Sequence, residues 1–373
     1  MADLVISSIR IHRLEGEIGE RFGWSLDWTK KRRATMVEVR TADGITGWGE
    51  GTWQGAERML GRSAFELAAL WEESRRIEGR QQRRGPARCA GIDIALWDIV
   101  GRALGQPVCK LLGSVYRTKV EAYCTALYRK DWPDLAQGLA EEAAGWVKAG
   151  FRNIKMKIGY DPVLDVRITA AVRDAVGPEI GLGVDSNCAY DAGTAIAMAR
   201  RLEAYYLLWW EEPLPYDDLE GYARLKRQTS IPIAAGETET ADWLALHYVQ
   251  PKRVDILQPD LEWVGLTGFH QLNHLCWLNR IRLIPHNWGT ALRTAATLHA
   301  VATCPPLTEA LNPPSILFEF DCTESPFREA VIRERLDIDP LDSCVPVPMG
   351  AGLGVEVIPD EVARFRVEEK VIE

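Results

Sequence analysis

Hydrophobic and polar positions alternate with a period of two in two stretches near the start of the chain. They are residues 3–12 and 34–49, both rich in β-branched and apolar side chains. This alternation predicts strands with one buried face, and the Ala-Asp-Gly turn at 42–44 predicts a hairpin. Residues 15–33 between them are predicted to form a lid or an interaction loop that carries aromatic rings, namely Phe22, Trp24 and Trp28.

From about residue 119 the pattern changes, and short apolar runs alternate with longer segments of helical periodicity. Near-continuous apolar runs are typical of parallel strands covered by helices. Eight runs are present, which is the strand number of a closed β/α barrel. An open doubly wound sheet is the alternative, but the chain has no GxGxxG or GxxxxGK[ST] turn. The runs lie at residues 120–127, 151–158, 180–187, 205–212, 231–237, 253–260, 281–287 and 316–320.

These patterns predict an α/β protein in three parts. Residues 1–118 are expected to form an N-terminal domain and residues 119–322 the barrel. Residues 323–373 add strand-like pieces and turns but no further strand–helix repeat. We therefore expect this C-terminal segment to fold back on the N-terminal domain.

Composition narrows the partners that the chain could have. It has 373 residues with 47% hydrophobic and 26% charged residues, and its formal net charge is −9. These values indicate a globular protein and disfavour binding to nucleic acid or to an anionic membrane. Six arginines between residues 75 and 88 are interpreted as a solvated surface or a subunit contact.

Hydropathy and the distribution of cysteines favour a cytoplasmic location. No run of about 18 apolar residues could span a membrane, and the first 20 residues carry charges too early for a signal peptide. The eight cysteines are scattered, and none forms a CxxC pair. Free thiols in a reducing compartment are the expectation.

Three acids follow apolar runs at equal spacing. Glu211 comes 26 residues after Asp185, and Glu237 comes 26 residues after Glu211. One strand–helix unit has about this length, so the three carboxylates should meet at the C-terminal face of the barrel. Carboxylate oxygens without a histidine or cysteine cluster favour Mg²⁺ over zinc. The alternative is that these acids only cap the helices that follow them. If there is a metal site, Glu212 could be the ligand in place of Glu211.

Two lysines precede these acids, and a histidine follows them. Lys155 and Lys157 should face the same side of one strand, where mutual repulsion and a nearby cation would lower a lysine pKa and make an amine base. His286 ends the seventh run and Asp260 the sixth. If the sixth and seventh strands are neighbours, the Asp260 carboxylate can orient the His286 imidazole so that it acts as an acid or a base. Glu319 in the eighth run should also reach the barrel mouth.

These motifs together resemble the enolase superfamily, mandelate racemase subgroup. The resemblance covers nearly the whole chain, including the segment GIDIALWDIVGRALGQPVCKLLG before the barrel and the GLG near the end. It rests on residues in family-like order, namely Lys155-x-Lys157, Asp185-x-Asn187, Glu211-Glu212-Pro213, Gly236-Glu237, Pro259-Asp260, Pro285-His286 and Glu319.

The resemblance implies a (β/α)7β barrel with an N-terminal α+β capping domain whose loops cover the site. It implies Mg²⁺ as cofactor, a homo-oligomer, and a small carboxylate substrate whose α-proton is removed to give an enediolate. Lys155, Lys157, Asp260, His286 and Glu319 would be the catalytic residues. Substrate contacts are expected from Asn187, Trp24 and Trp53.

The segments around PHNWGTAL and FEFDCTESPFR resemble sugar-acid dehydratases and galactarolactone cycloisomerase-like members. Dehydration or cycloisomerisation of a sugar acid or its lactone is therefore the expected reaction. A racemase or epimerase of a hydroxy acid or amino-acid derivative is the alternative. A barrel glycosidase that uses Glu211 and Glu237, or a non-catalytic binding barrel, are more remote alternatives.

Overall fold

A computed structural model describes residues 3–78 and 89–373, and for residues 75–78 it describes the backbone only. All six arginines of the stretch at 75–88 therefore lie outside the described side chains. No helix among the described residues is long and apolar enough to cross a membrane. The strands are β1 Ile6–Gly23, β2 Trp28–Thr41, β3 Thr46–Glu50, β4 Lys119–Thr125, β5 Asn153–Lys157, β6 Gly181–Asp185, β7 Trp209–Glu211, β8 Ile233–Ala235, β9 Ile256–Leu257, β10 Arg282–Leu283, β11 Leu317–Asp321, β12 Cys344–Pro346 and β13 Arg366–Ile372. The α-helices are α1 Leu67–Glu78, α2 Ala90–Leu104, α3 Val108–Leu111, α4 Leu135–Lys148, α5 Pro162–Val176, α6 Ala192–Leu202, α7 Leu219–Lys226, α8 Ala241–Leu244, α9 Leu261–Asn279, α10 Ala291–Ala302 and α11 Pro359–Phe365.

The N-terminal strands form an antiparallel sheet in the order β13-β1-β2-β3. The C-terminal strand β13 thus pairs with β1, although more than 340 residues separate them along the chain. Helix α2 packs against the sheet at β3. Glycines at 47 and 49 permit this contact, because a Cβ at either position would strike the helix backbone.

The predicted loop at 15–33 is a strand ribbon instead. Strands β1 and β2 continue their pairing through this region, with Glu15 opposite Arg33 and Glu17 opposite Lys31. Glu15 accepts hydrogen bonds from Lys31 at 2.6 Å and Arg33 at 2.9 Å. These cross-strand charge pairs favour extended pairing where a search for apolar alternation finds none. Only residues 24–27 form the turn at its tip.

The barrel follows the predicted architecture. Each of the eight predicted runs overlaps one strand, and strands β4 to β10 pair in parallel with their neighbours in chain order. Strand β11 pairs in parallel with β4, while β10 and β11 share no ladder in the described part of the chain. Seven helical segments, α4 to α10, lie between the eight strands. The (β/α)7β prediction is thus confirmed.

The barrel interior is apolar at one level and charged at the next. Its apolar plug includes Tyr123 and Trp209, whose rings meet edge to face with centroids 5.0 Å apart. Side chains two residues later on the same strands point the same way. On β7 this places Glu211 directly above the plug, at the C-terminal mouth. A closed hydrophobic floor under charged groups limits the access of water to them.

Asp98 of α2 connects the N-terminal sheet to the C-terminal segment. Its buried carboxylate accepts hydrogen bonds from the backbone N–H groups of Trp48 at 3.1 Å and Leu353 at 2.8 Å. Arg102 contributes a third at 2.9 Å. Three parts of the chain that are distant in sequence are therefore fixed around one carboxylate.

His299 of α10 should make stability depend on pH. The side chain is fully buried, its Nδ1 accepts the backbone N–H of Cys109 at 3.2 Å, and burial lowers the pKa of His299 to about 4. An unfolded histidine titrates near 6.5. Above pH 6.5 the imidazole is neutral in both the folded and the unfolded protein, so its burial carries no penalty from protonation. As the pH drops from 6.5 to 4, the unfolded histidine takes up a proton that the folded one does not, and stability falls by up to about 3 kcal/mol.

His299→Asn keeps a hydrogen-bond acceptor but cannot titrate in this range. We expect the free energy of unfolding of the variant to fall less between pH 7 and 4.5 than that of the parent protein, as measured by denaturant titration. His274→Asn, at an exposed position of α9, is the matched control and should keep the parent slope. Equal slopes for all three proteins would contradict the assignment.

Candidate active site

Adjacent strand ends bring the three predicted acids together. The parallel register places Lys157 opposite Asp185 and Asp185 opposite Glu211. Glu237 lies two residues beyond β8, after Gly236 at φ 114°, a backbone conformation that favours glycine. One carboxylate oxygen from each acid lies within 4.8 Å of the other two. We refer to Asp185, Glu211 and Glu237 as the acid triad.

The acid triad has the donor chemistry that a hard divalent cation prefers. Burial and then the charge of Asp185 raise the pKa of Glu211, whereas Lys157 and Lys155 outweigh burial and lower the pKa of Asp185. Glu237 Oε2 is buried and makes no hydrogen bond to any described residue. Negative charge and an unused buried oxygen together fit a Mg²⁺ site.

Both lysines of β5 point into the barrel and are buried. Lys155 Nζ lies 2.7 Å from Glu211 Oε1 and 2.8 Å from Glu319 Oε1. Lys157 Nζ lies 2.5 Å from Asp185 Oδ2 and 5.3 Å from the centre of the Tyr128 ring. Burial lowers the lysine pKa values, but the surrounding carboxylates outweigh it and raise both. This direction is opposite to the sequence-based expectation, because the carboxylates in contact with each amine outweigh both burial and the repulsion between the two lysines.

His286 and Asp260 form the predicted pair. Strands β9 and β10 are neighbours, and His286 Nδ1 lies 2.5 Å from Asp260 Oδ2. Asp260 is also the N-cap of α9, since its other oxygen accepts the backbone N–H of Glu262 at 2.7 Å. The second ring nitrogen, His286 Nε2, lies 3.5 Å from Glu237 Oε2 and 3.7 Å from Glu319 Oε2. One nitrogen is thus held by Asp260 while the other faces the acids.

Glu319 of β11 is held from three sides. Besides Lys155, the hydroxyl of Thr125 and the backbone N–H of Asn287 donate to its carboxylate, the latter at 2.8 Å. It is completely buried, and Lys155 and His286 outweigh burial to keep its pKa below the usual range. An ionised Glu319 therefore completes the ring of charges at the mouth.

The three predicted substrate contacts lie at different distances from this centre. Asn187 adjoins it: its backbone N–H donates to Asp185 Oδ1 at 2.9 Å, and its own Oδ1 is buried without a partner among the described residues. Trp24, in the β1–β2 turn, packs edge to face on Trp288 with ring centroids 6.2 Å apart. Trp53 packs against the N-terminal domain core, with the Lys370 amine over its ring.

A cavity of about 230 Å³ leads to this centre between the two domains. Sequence reasoning missed several of its residues. Trp288 had a usable signal, because it lies two positions after His286. Glu50 and Arg293 had none, since they come from chain segments 243 residues apart that only the fold brings together. The cavity is lined by Arg33, Ala34, Glu50, Glu237, Thr238, Asp260, Glu262, Trp263, His286, Trp288 and Arg293.

Comparison with known proteins agrees with this geometry. Residues 21–113 match the mandelate racemase / muconate lactonizing enzyme N-terminal domain, and residues 138–361 match the enolase C-terminal domain-like family. The chain is 34% identical to D-galactarolactone cycloisomerase of Agrobacterium fabrum, over 98% of this chain and 99% of the relative.

Solved structures give the same result. The 3,6-anhydro-D-galactonate cycloisomerase of Zobellia galactanivorans is 33% identical, with a TM-score of 0.85 over 98% of this chain and 100% of that one. An L-talarate dehydratase from a Polaromonas species, in complex with Mg and L-glucarate, is 27% identical with a TM-score of 0.80 over 99% of both chains. The expected family is confirmed: this chain belongs to the mandelate racemase / muconate lactonizing enzyme family of the enolase superfamily.

Proposed function

We propose that this protein is a Mg²⁺-dependent enzyme that removes the proton α to the carboxylate of a sugar acid or its lactone, in a dehydration or a cycloisomerisation. The observation that carries the proposal is the position of the acid triad between two proton carriers. Lys157 contacts the triad at Asp185, and His286 approaches it at Glu237. A substrate carboxylate held at the triad would have one carrier on each side.

The acid triad would hold the metal, and Mg²⁺ when bound supplies positive charge that stabilises the carboxylate as its α-proton leaves. The Polaromonas dehydratase, whose structure contains Mg and a sugar diacid, supports this choice. Lys155 adds a fixed positive charge beside the triad. The substrate carboxylate and the enediolate that replaces it are anions that only accept hydrogen bonds, so Glu319 would take up a proton when the substrate binds and donate a hydrogen bond to them.

Lys157 Nζ and His286 Nε2 are the groups proposed to move protons. Asp260 fixes the imidazole through Nδ1, so that Nε2 is directed to the substrate side. One carrier removes the α-proton, and the other protonates the departing β-hydroxyl or lactone oxygen. If a proton is instead returned to the α-carbon from the opposite face, the product is the other stereoisomer and the enzyme is a racemase or epimerase. A glycosidase that uses Glu211 and Glu237 is not favoured, because it would give no role to Lys157 or to the third acid, Asp185, which contact each other at this site.

The remaining half of the substrate would occupy the cavity between the domains. Its walls include the indole rings of Trp263 and Trp288, which can stack on the apolar face of a sugar. Asn187 and Trp24 are proposed as further substrate contacts. A homo-oligomer in the cytoplasm stays a prediction.

The metal assignment predicts that Asp185→Asn and Glu237→Gln each abolish Mg²⁺-dependent turnover while leaving the fold intact. A ligand that binds only the folded state raises the unfolding temperature, so Mg²⁺ should stabilise the parent protein and not these variants. Glu239→Gln is the control, because this buried acid lies outside the triad and accepts a hydrogen bond from Thr238. Differential scanning fluorimetry with and without Mg²⁺ measures the effect. Undiminished stabilisation of either triad variant would refute the ligand set.

The two-carrier assignment predicts that Lys157→Ala and His286→Asn each slow turnover by about 10² to 10⁴-fold. The variants should differ in the partial reaction. In D₂O, each should still exchange the α-proton of the substrate epimer that faces the remaining carrier, as followed by ¹H NMR. If both variants exchange both epimers at the parent rate, the assignment is wrong.

The substrate class predicts selective turnover within a panel of aldonic acids, aldaric acids and their lactones, assayed with Mg²⁺. Mandelate-like acids and proline derivatives serve as comparison substrates, since they offer an acidic α-proton without the hydroxylated chain. Turnover of only the comparison acids would overturn the sugar-acid assignment and leave the proton-abstraction mechanism standing.

A further inference from the structure

A buried arginine lies behind the His286–Asp260 pair. Arg293 of α10 is 3% exposed, and its Nη1 lies 3.4 Å from Asp260 Oδ1 and 2.6 Å from Glu262 Oε2. Asp260 therefore has one oxygen directed to His286 and the other to Arg293. A single guanidinium thus faces the carboxylate that orients the imidazole.

The N-terminal domain supports this arginine from the other side. Glu50, the last residue of β3, is buried and lies with Oε1 3.5 Å from Arg293 Nε. Glu50 is itself held by Thr290, whose backbone N–H donates to it at 2.9 Å and whose hydroxyl donates at 2.5 Å. A continuous set of contacts therefore runs from the N-terminal sheet through Arg293 and Asp260 to His286.

The chain leaves room for this arrangement at Gly289. A Cβ at this position would collide with Arg293 Nε and with Glu50 Oε1. The absence of a side chain at this glycine therefore allows Arg293 and Glu50 to approach the loop that follows β10 this closely.

The buried guanidinium also helps to keep Asp260 ionised. Arg293, followed by His286, outweighs burial and holds the pKa of Asp260 below its usual value. An ionised Asp260 accepts a hydrogen bond from the Nδ1–H group of the imidazole, which leaves Nε2 to face the acid triad. Loss of the guanidinium would leave Asp260 buried with one polar partner fewer, so its side chain and the imidazole would both be less well fixed.

We propose that Arg293, braced by Glu50 from the N-terminal domain, is a positioning residue that sets the orientation of the Asp260–His286 pair. The inference rests on the proposed function, because it assigns Arg293 an effect only through His286. It further implies that the two proton carriers depend on different parts of the molecule. His286 depends on the contact between the domains, whereas Lys157 depends on β5 and β6 of the barrel.

The test is a double-mutant cycle on α-proton exchange in D₂O. Arg293→Met removes the charge and keeps much of the side-chain length, and we expect it to lower kcat by about 10²-fold with KM changed less than threefold. Exchange of the epimer that faces His286 should fall by a similar factor, whereas exchange of the epimer that faces Lys157 should persist. In the His286→Asn background, Arg293→Met should cause no further loss of either exchange, because the residue through which it acts is absent.

Three further variants make the result decisive. Arg293→Lys should recover part of the kcat, and Glu50→Gln, which keeps the shape of the side chain, should reproduce a weaker form of the same selective loss. Arg32→Met is the structural comparison, since Arg32 is equally buried and also joins the two domains, through Asp321 at 2.7 Å. Its effect on exchange should be the same with and without His286. Glu50→Gln carries the test if Arg293→Met fails to fold.

The possible failures are distinct. If Arg293→Met lowers exchange equally in both backgrounds, Arg293 has only a structural role and the inference is wrong. If the parent protein exchanges neither epimer of any panel acid in the presence of Mg²⁺, the proposed function itself fails. Unchanged turnover in both Arg293→Met and Glu50→Gln would overturn the inference while leaving the proposed function in place.

Discussion

The site depends on a close balance of charge inside a barrel that has little water. Asp185, Glu211 and Glu319 converge at the mouth, and each is almost completely buried. Carboxylates this close repel one another and are poorly solvated. Lys155 and Lys157 meet them from the neighbouring strand, so the acids and amines stabilise each other. Neither set could occupy this position without the other, and the apolar plug below holds both in place.

The same balance explains why the centre suits a cation and a carboxylate substrate together. Glu237 Oε2 has no hydrogen-bond partner among the described residues, so the acid triad keeps binding capacity that the lysines do not use. A divalent cation would supply the missing positive charge and would compete with the amines for Asp185. It would thereby weaken the contact that raises the pKa of Lys157. A lower pKa is what a base at this position requires, since only the neutral amine can accept a proton.

Sequence alone predicts this centre well because a barrel converts spacing along the chain into proximity. Acids spaced by 26 residues fall at neighbouring strand ends, and the period of two along a strand places both lysines on one side. The contacts between domains carry no such signal. Glu50 meets Arg293, and Arg32 meets Asp321, only after both domains have folded. The β1–β2 ribbon was missed for a different reason: its buried side chains Ile18 and Phe22 are four residues apart, with one glycine and two charged residues between them, so no alternation with a period of two marks this part of the strand.

The two sides of the site are built with different rigidity. Lys157 ends a five-residue strand paired on both sides, whereas His286 follows a two-residue strand, β10, that pairs only with β9 in the described part of the chain. A short strand at an open edge of the ladder fixes its following loop poorly. The loop that carries His286 is instead held by Asp260, by Arg293 and, through Thr290, by Glu50 of the N-terminal domain. The domain proposed to cover the substrate thus also helps to hold one of the two proposed proton carriers, and on this proposal a change in its loops would alter which face of a substrate reacts as well as which substrate is bound.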